Sequence, residues 1–491
     1  MKQVVQAING GPVRVIDAPR PTIGATEVLV RTVTTTISPG TERAVTALAQ
    51  SSLIDKARAR PDLVKQVISK ARAEGLASTA RAVRARLDED MPLGYSGAGI
   101  AVAVGDAVTG IKPGDLVATG GASKANHAEF QAVPAMLCVR VPDGVSADDA
   151  ALATIASIAL HGVRLAEIEP GSRVVVVGLG LVGQLAVRLA QAAGADVFGI
   201  DLDPLAVERT IKSGGAASVE HGDDTTRAVL DWSRGRGADA VIVAAAGHSS
   251  AVMGRAPDLC RDRASVVVVG DVGLDLDRRP YYDRELTIRF ARSYGPGRYE
   301  RSYEDWGVDY PPGLVRFTEG RNLETVLDLL AADRLRVDDL ITHRFDIAEA
   351  TKAYELVETR DQPFVGIQLT YPAVRDGATP DELAAAEGPI RLRTPRPTRG
   401  KATMATSTAP NASNAAWSPK SSPRKIPGLG LIGAGSFATT VLLPSLQKAR
   451  FNRLVAVASA SGLSARHLAE RAGFEQAVSG ADAVIGDPMS T

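Results

Sequence analysis

Two glycine-rich turns stand out as places where backbone chemistry is open to a ligand. Gly178-Leu179-Gly180-Leu181-Val182-Gly183 follows the apolar run RVVVV and opens QLAVRLAQAAG, which has helical character. In such a turn the first glycine permits the tight bend, the second lets a pyrophosphate approach the backbone, and the third lets helix pack on strand. The helix start, at Leu181 and Val182, then offers free N–H groups and a partial positive charge to the phosphates. Asp201, 18 positions after Gly183, closes the run DVFGID. A carboxylate there accepts hydrogen bonds from ribose hydroxyls and repels a 2′-phosphate, which points to NAD(H) rather than NADP(H). The plainer alternative is a turn residue ahead of Asp203-Pro204. The second turn, Gly433-Ala434-Gly435, sits in GLGLIGAGSFATTVLLPSLQK (428–448) with the same layout, and marks Gly433 and Gly435 as nucleotide contacts.

A third stretch, RSYGPGRYERSYEDWGVDYPPG (292–313), is dense in Arg, Tyr and Gly. Arg292, Ser293, Tyr294, Arg298 and Tyr299 have the chemistry to grip a polar or anionic small molecule, a sugar or sugar acid for example. A structural loop or a dimer contact is the competing reading. His127, in NHAEF, and His161 are weaker candidates for a general base, a packed or surface histidine being the commoner case. Cys138 and Cys260 are isolated, so they make neither a disulfide framework nor a zinc knuckle.

These residues need elements to hold them, and the chain supplies several kinds. Residues 1–45 and 93–145 read as short strands between Gly, Pro and Asp turns. Between them 46–90 is Ala-, Arg- and Lys-rich with apolar residues at helical spacing, an insert of two or three amphipathic helices. Its basic residues read as a solvated face, with an anion-binding lid as the alternative. From about 150 to 293, apolar β-branched runs alternate with Ala-rich helices, the pattern of a parallel sheet buried on both faces. Residues 294–371 return to mixed structure, with a helix at 323–333 and strands near THRFD and FVGIQLTY. Residues 372–425, crowded with Pro, Ser, Thr, Ala and Asn, read as a disordered linker.

Composition narrows the function classes. The 491 residues carry 56 basic and 56 acidic side chains, so no global field favours nucleic acid or an anionic membrane. No apolar run reaches the roughly 18–20 residues that span a bilayer. The N-terminus lacks the basic start and apolar middle of a signal peptide, and a reduced, cytoplasmic enzyme is expected.

Residues 1–371 resemble the medium-chain dehydrogenase/reductase superfamily. The resemblance rests on GTE (40–42), GYSGAG (94–99), IKPGDLV (111–117), HAEF (127–130), VPDGVS (141–146) and GLGLVGQLAVRLAQAAGA. It implies an α/β chain with a GroES-like β-rich catalytic domain over 1–155, a Rossmann doubly wound sheet over 156–294, and a return to the catalytic domain over 295–371. A homodimer formed through the Rossmann sheet edge is the superfamily's expectation. Zinc-dependent members hold a metal with a Cys, a His and a third Cys or acidic ligand. The matching positions here are Pro39, Tyr95-Ser96 and, by spacing, Thr154, none of them a good zinc ligand. No metal is expected. Thr41 matches the hydroxyl of the superfamily's proton relay, and Tyr95 stands on a former ligand position. A Thr41–Tyr95 pair handling the proton is the sharper reading; Tyr95 merely filling the metal's volume is the plainer one.

The helical insert, PLGYSGAG, VGDVG and RSYGPGRYE narrow the likeness to bacterial bi-domain oxidoreductases, in which a zinc-lacking dehydrogenase precedes a Gfo/Idh/MocA-type domain. Residues 426–491 would then be an incomplete nucleotide-binding segment with no catalysis of its own, from a truncated or frame-shifted gene or a fragment. The function implied is hydride transfer between nicotinamide and a carbonyl or secondary alcohol of a sugar or polysaccharide precursor. A quinone- or enoyl-type reductase, or a non-catalytic NAD-binding remnant, are the alternatives.

Overall fold

The computed structural model describes residues 1–51, 61–75, 89–371, 389–392, 428–435, 437–448 and 453–486, with a few isolated positions between. The chain forms two compact units, residues 1–17 with 23–386 and residues 18–22 with 387–491. Among the described residues no helix is long and apolar enough to cross a membrane.

The Rossmann part of the first unit follows directly from its apolar runs. β9 (Arg173–Val177), β10 (Asp196–Asp201), β11 (Ala216–Val219), β12 (Ala238–Val243), β13 (Cys260–Val268) and β14 (Thr287–Phe290) form one parallel sheet in the order β11-β10-β9-β12-β13-β14. This is the doubly wound order, whose switch point lies between β9 and β12, at the carboxyl ends of the strands. Val174, Val175 and Val176 of β9 are fully buried, because helices cover both sheet faces; each such valine contributes about 1.5–3 kcal/mol. The helix α4 (Leu181–Ala192) packs on the sheet with all but a few side chains buried. Gln184 pins it from within, donating to Ala206 O at 2.9 Å and Thr210 Oγ1 at 3.0 Å.

The rest of the first unit is mostly antiparallel. β3 (Glu27–Ile37) is the central strand of a seven-stranded sheet with β5 (Ser96–Val104), β6 (Leu116–Gly120), β7 (Phe130–Pro134), β8 (Cys138–Arg140), β15 (Ile341–Asp346) and β16 (Gly366–Thr370). A smaller sheet joins β1 (Lys2–Ala7), β2 (Arg14–Asp17) and β4 (Asp90–Pro92). The pairing of β3 with β16 brings the end of the first unit back beside its start. Two helices link the halves: α3 (Ala153–Leu165), buried along most of its length, and α5 (Glu319–Ala331), which begins four residues earlier than the sequence suggests because Thr318 caps it.

The helical insert differs at its edge. α1 (Pro39–Gln50) starts before residue 46, with Pro39 at the first helical position, where its missing N–H costs nothing. α2 (Pro61–Glu74) follows, and the remainder of the insert lies outside the described residues. In the second unit β18 (Leu429–Ile432), β19 (Leu454–Ser459) and β20 (Gln476–Ser479) run parallel, with the helix α6 (Leu463–Ala472) between the last two. β17 (Ile390–Arg391) pairs antiparallel with β20, so this part of the expected linker is a strand. The rest of 372–425, apart from a few positions, lies outside the described residues.

Candidate active site

The first glycine turn has the geometry its spacing demands. Gly178 has φ +91°, and a side chain on it would meet Ala245 N at 2.5 Å. A methyl on Gly183 would lie 1.8 Å from Gly178 O, so only glycine lets α4 close on β9. Gly180, at the cap of α4, has nothing within 4 Å of its missing side chain, which leaves open space against the backbone. The N–H groups of Leu181 and Val182 open the helix and have no acceptor within it. The Asp201 carboxylate ties the turn together: one oxygen accepts from Leu179 N–H and the other from Asp203 N–H at 2.9 Å. Sequence reading did not single out Gly270, whose missing side chain would lie 1.9 Å from Ala245 O and which lets the chain leave β13 beside this turn.

Thr41 and Tyr95 do meet. Tyr95 Oη donates to Thr41 Oγ1 at 3.5 Å, and Ser38 Oγ donates to the same oxygen at 3.5 Å, both at the outer limit for a hydrogen bond. Thr41 is exposed at the start of α1, whereas Tyr95 is buried. Burial pushes the Tyr95 phenol up to about 12, the hydroxyls of Ser38 and Thr41 pull against it, and the nearby Glu42 charge adds to the rise. At neutral pH Tyr95 is therefore a protonated phenol, able to give a proton rather than take one.

Behind this pair lies a buried polar network that sequence reading missed. His127 is completely buried, with Nδ1 2.7 Å from Thr35 Oγ1 and Nε2 3.2 Å from Glu42 Oε1. Glu42 also accepts from Tyr354 Oη, and Thr35 Oγ1 lies 2.9 Å from Tyr371 Oη. Burial and the Glu42 carboxylate hold the Tyr354 phenol well above its usual range. With both ring nitrogens engaged, His127 is a packed histidine rather than a free base.

The Arg/Tyr segment divides in two. Ser293 and Tyr299 have φ of +54° and +69°, and these two left-handed residues reverse the chain around Tyr294 and Arg298. Tyr294 is 2% exposed and packs with Val28, Val133 and Leu323. Arg298 lies 5.3 Å from the Tyr294 ring centre and pairs with Glu304. Both side chains are buried, which sets them apart from the exposed members of the segment. Arg292 and Tyr299 remain outside, stacked with 4.7 Å between guanidinium and ring, and Ser293 is half-buried.

The side chains at the three positions of a catalytic zinc offer it little. Pro39 has no side-chain donor. Tyr95 is engaged as described, and Thr154 is fully buried with its hydroxyl donating to Thr119 O at 3.1 Å. Among the described residues no group of three or more His, Cys, Asp and Glu could hold a metal ion. The donor set at these positions does not fit zinc. In the second unit Gly433 has φ +98°, and Gly433 and Gly435 both face open space, as a nucleotide turn requires.

Known proteins give the arrangement its relatives. The first unit superposes on the alcohol dehydrogenase TADH from Thermus sp. ATN1 with a TM-score of 0.56 and 20% identity, covering 76% of this chain and all of the other. The fold is that of the medium-chain alcohol dehydrogenases. Residues 182–306 match the family described as zinc-binding dehydrogenase. A probable D-xylulose reductase A of Aspergillus clavatus is 28% identical over 324 residues, 59% of this chain and 82% of that protein. Sorbitol dehydrogenase 2 of Saccharomyces cerevisiae is 27% identical over 304 residues, 55% and 78% respectively. The chain thus has the fold of these dehydrogenases, and over part of its length it is similar in sequence to sugar and polyol dehydrogenases.

Proposed function

We propose that residues 1–371 form an NAD(H)-dependent, zinc-independent oxidoreductase acting on a secondary alcohol or carbonyl of a sugar or sugar alcohol. The observation that carries this reading is the cradle at Gly178–Gly183 with the Asp201 carboxylate beside it. Two of the roughly four lone-pair positions on that carboxylate are taken by backbone N–H groups, which leaves two for the ribose hydroxyls. The sugar and polyol substrates of the relatives by sequence support the substrate class.

A bound nicotinamide would supply the hydride for the carbonyl carbon in the reducing direction, and the chain's own residues would then have to give the carbonyl oxygen a proton. Tyr95 gives that proton and Thr41 holds the phenol in place; the tyrosinate is then reprotonated from solvent through the exposed Thr41. Oxidation runs the same path backwards. Arg292 and Tyr299 are the members of the Arg/Tyr segment placed to meet a substrate. The second unit we read as the opening of a Gfo/Idh/MocA-type domain, and assign it no catalysis. A homodimer through β14, the edge strand of the six-stranded sheet, is expected and is checked by sedimentation.

The test is calorimetric titration of NADH and NADPH into the full chain, followed by turnover with sorbitol, xylitol and D-xylulose with and without a chelator. NADH binding with chelator-insensitive turnover supports the proposal. Turnover that falls with loss of bound zinc overturns its metal-free chemistry, and failure to bind NADH overturns the reading altogether. Tyr95→Phe should lower kcat about 100-fold or more while leaving NADH affinity unchanged.

A further inference from the structure

One patch of the first unit gathers three nitrogen bases and no acid. α3 crosses the carboxyl ends of the last Rossmann strands: a methyl on Gly162 would lie 2.5 Å from Val269 Cγ2, and Leu165 O accepts from Arg289 Nη1 at 2.8 Å. The half-buried face of α3 carries Ile158, His161 and Arg164, one helical turn apart. From there Arg164 reaches α5, where Nε donates to Asn322 Oδ1 at 2.9 Å and Nη2 to Thr325 Oγ1 at 3.1 Å. Its guanidinium lies 3.3 Å from the centre of the Phe317 ring, and Arg316 stacks on the same ring at 4.6 Å. Asn322 in turn donates to Tyr294 O at 2.8 Å, so the patch adjoins the segment that leaves β14.

What sets this patch apart is the missing counter-charge. Several of the more buried arginines in this unit are paired, Arg188 with Asp339, Arg298 with Glu304 and Arg321 with Asp309, whereas Arg31 and Arg284, also without a carboxylate, stand singly. Arg164 bonds only neutral acceptors, using two of its five N–H donors. Among the described residues neither it, Arg316 nor His161 has a carboxylate within ion-pair distance. Glu324 feels the Arg316 charge without pairing with it. Burial, with the Arg316 charge adding to it, lowers Arg164 to about 10. A half-buried guanidinium with free donors, a second cation on the same ring and an imidazole beside it make a fork suited to a phosphoryl or carboxylate group. The position, at the carboxyl edge of a doubly wound sheet, is where such folds bind their ligands.

We propose that His161, Arg164 and Arg316 form an anion subsite of the substrate cleft. It takes the phosphoryl or carboxylate end of a sugar or polyol whose carbinol carbon meets the nicotinamide. The substrate part of this proposal rests on the dehydrogenase reading above; the anion site does not. The probes are inorganic phosphate and acetate, titrated into the NADH-treated full chain, for wild type, Arg316→Ala and Arg164→Gln. Arg316 is exposed and makes no hydrogen bond in the fold, so its variant keeps the test sound even if Arg164→Gln unfolds. Turnover is then compared for D-xylulose 5-phosphate, D-xylulose and D-xylonate. Saturable anion binding that weakens about ten-fold or more in Arg316→Ala, with a charged substrate preferred over D-xylulose, is expected. The stronger of the phosphate and acetate titrations tells which terminus is read. Anion binding indifferent to both substitutions, or a preference for the neutral sugar, overturns the proposal. Absence of NADH binding would refute the dehydrogenase reading by itself, and the anion titration would still decide the subsite.

Discussion

Replacing Asp201 by asparagine separates the cofactor reading from a purely structural one. The carboxylate has about four lone-pair positions, of which the N–H groups of Leu179 and Asp203 occupy two. An asparagine has a single acceptor oxygen. Its amide nitrogen then faces one of those N–H groups, and at least one ribose hydroxyl loses a bond to a charged acceptor. That bond is worth about 1.5–3 kcal/mol, so NADH affinity should fall about 10- to 150-fold. NADPH moves the other way. Removing a unit charge at about 4 Å from the 2′-phosphate relieves repulsion of up to about 4 kcal/mol near a surface. The ratio of NADH to NADPH affinity should therefore drop by roughly two orders of magnitude or more. Calorimetric titration of both cofactors into wild type and Asp201→Asn measures it directly. If NADH affinity stays within a factor of about two while thermal stability falls, Asp201 is a turn residue and the cofactor reading of this position is wrong.

Other substitutions probe the remaining parts. Gly183→Ala places a methyl 1.8 Å from Gly178 O, and should abolish NADH binding with a loss of about 1–3 kcal/mol in urea unfolding. Tyr354→Phe removes the hydroxyl that Glu42 accepts from in the interior, and should cost about 1.5–3 kcal/mol; a midpoint unchanged in urea would contradict that account of the network. Burial, reinforced by Glu304, raises Glu319 to about 9 from its ordinary 4.5, so the folded state holds a proton that the unfolded state releases between those values. Stability then falls as pH rises through that window, and Glu319→Gln should gain about 1 kcal/mol or more at pH 8.5 over pH 5.5, read as a Tm difference of roughly 2–4 °C. An identical pH dependence in the two proteins would show that Glu319 does not carry the proton.

The Rossmann half was legible because its signals are local. RVVVV, the glycine spacing and DVFGID each report a strand, a turn or a strand end within a few residues, and the six-stranded order follows from the alternation of strands and helices. The candidate catalytic half was less so. Glu42, His127 and Tyr354 meet only because α1, the loop before β7 and a helix near the end of the unit converge, with up to 312 residues between partners. No spacing rule spans that distance. The Arg/Tyr segment was only partly legible, for a different reason. The residue types were suited to substrate binding, but the left-handed backbone at Ser293 and Tyr299 decides which side chains face inward, and nothing in RSYGPGRYE requires it there. Arg164 was overlooked because it stands alone in an apolar helix, and its meaning lies in the carboxylate it does not meet.

The position of Tyr95 also follows from that long-range closure. A side chain on Gly94 would lie 2.7 Å from the His127 ring, so Gly94 stays a glycine at φ +92° and the chain turns sharply just before Tyr95. His127 is held by Thr35 on one side and Glu42 on the other, and Glu42 is held by Tyr354. Thr41 directly precedes Glu42, as Gly94 directly precedes Tyr95. Each member of the candidate proton pair is therefore the sequence neighbour of a residue fixed by the same buried network. The 3.5 Å between their oxygens is set in part by His127 and Glu42, which hydrogen-bond to neither hydroxyl. A histidine in this place, although it takes no proton from a substrate, would then govern catalysis by fixing where the phenol points. His127→Gln should change kcat far more than NADH affinity. Equal loss of both would mean that the network holds up the fold and has no special part in aiming Tyr95.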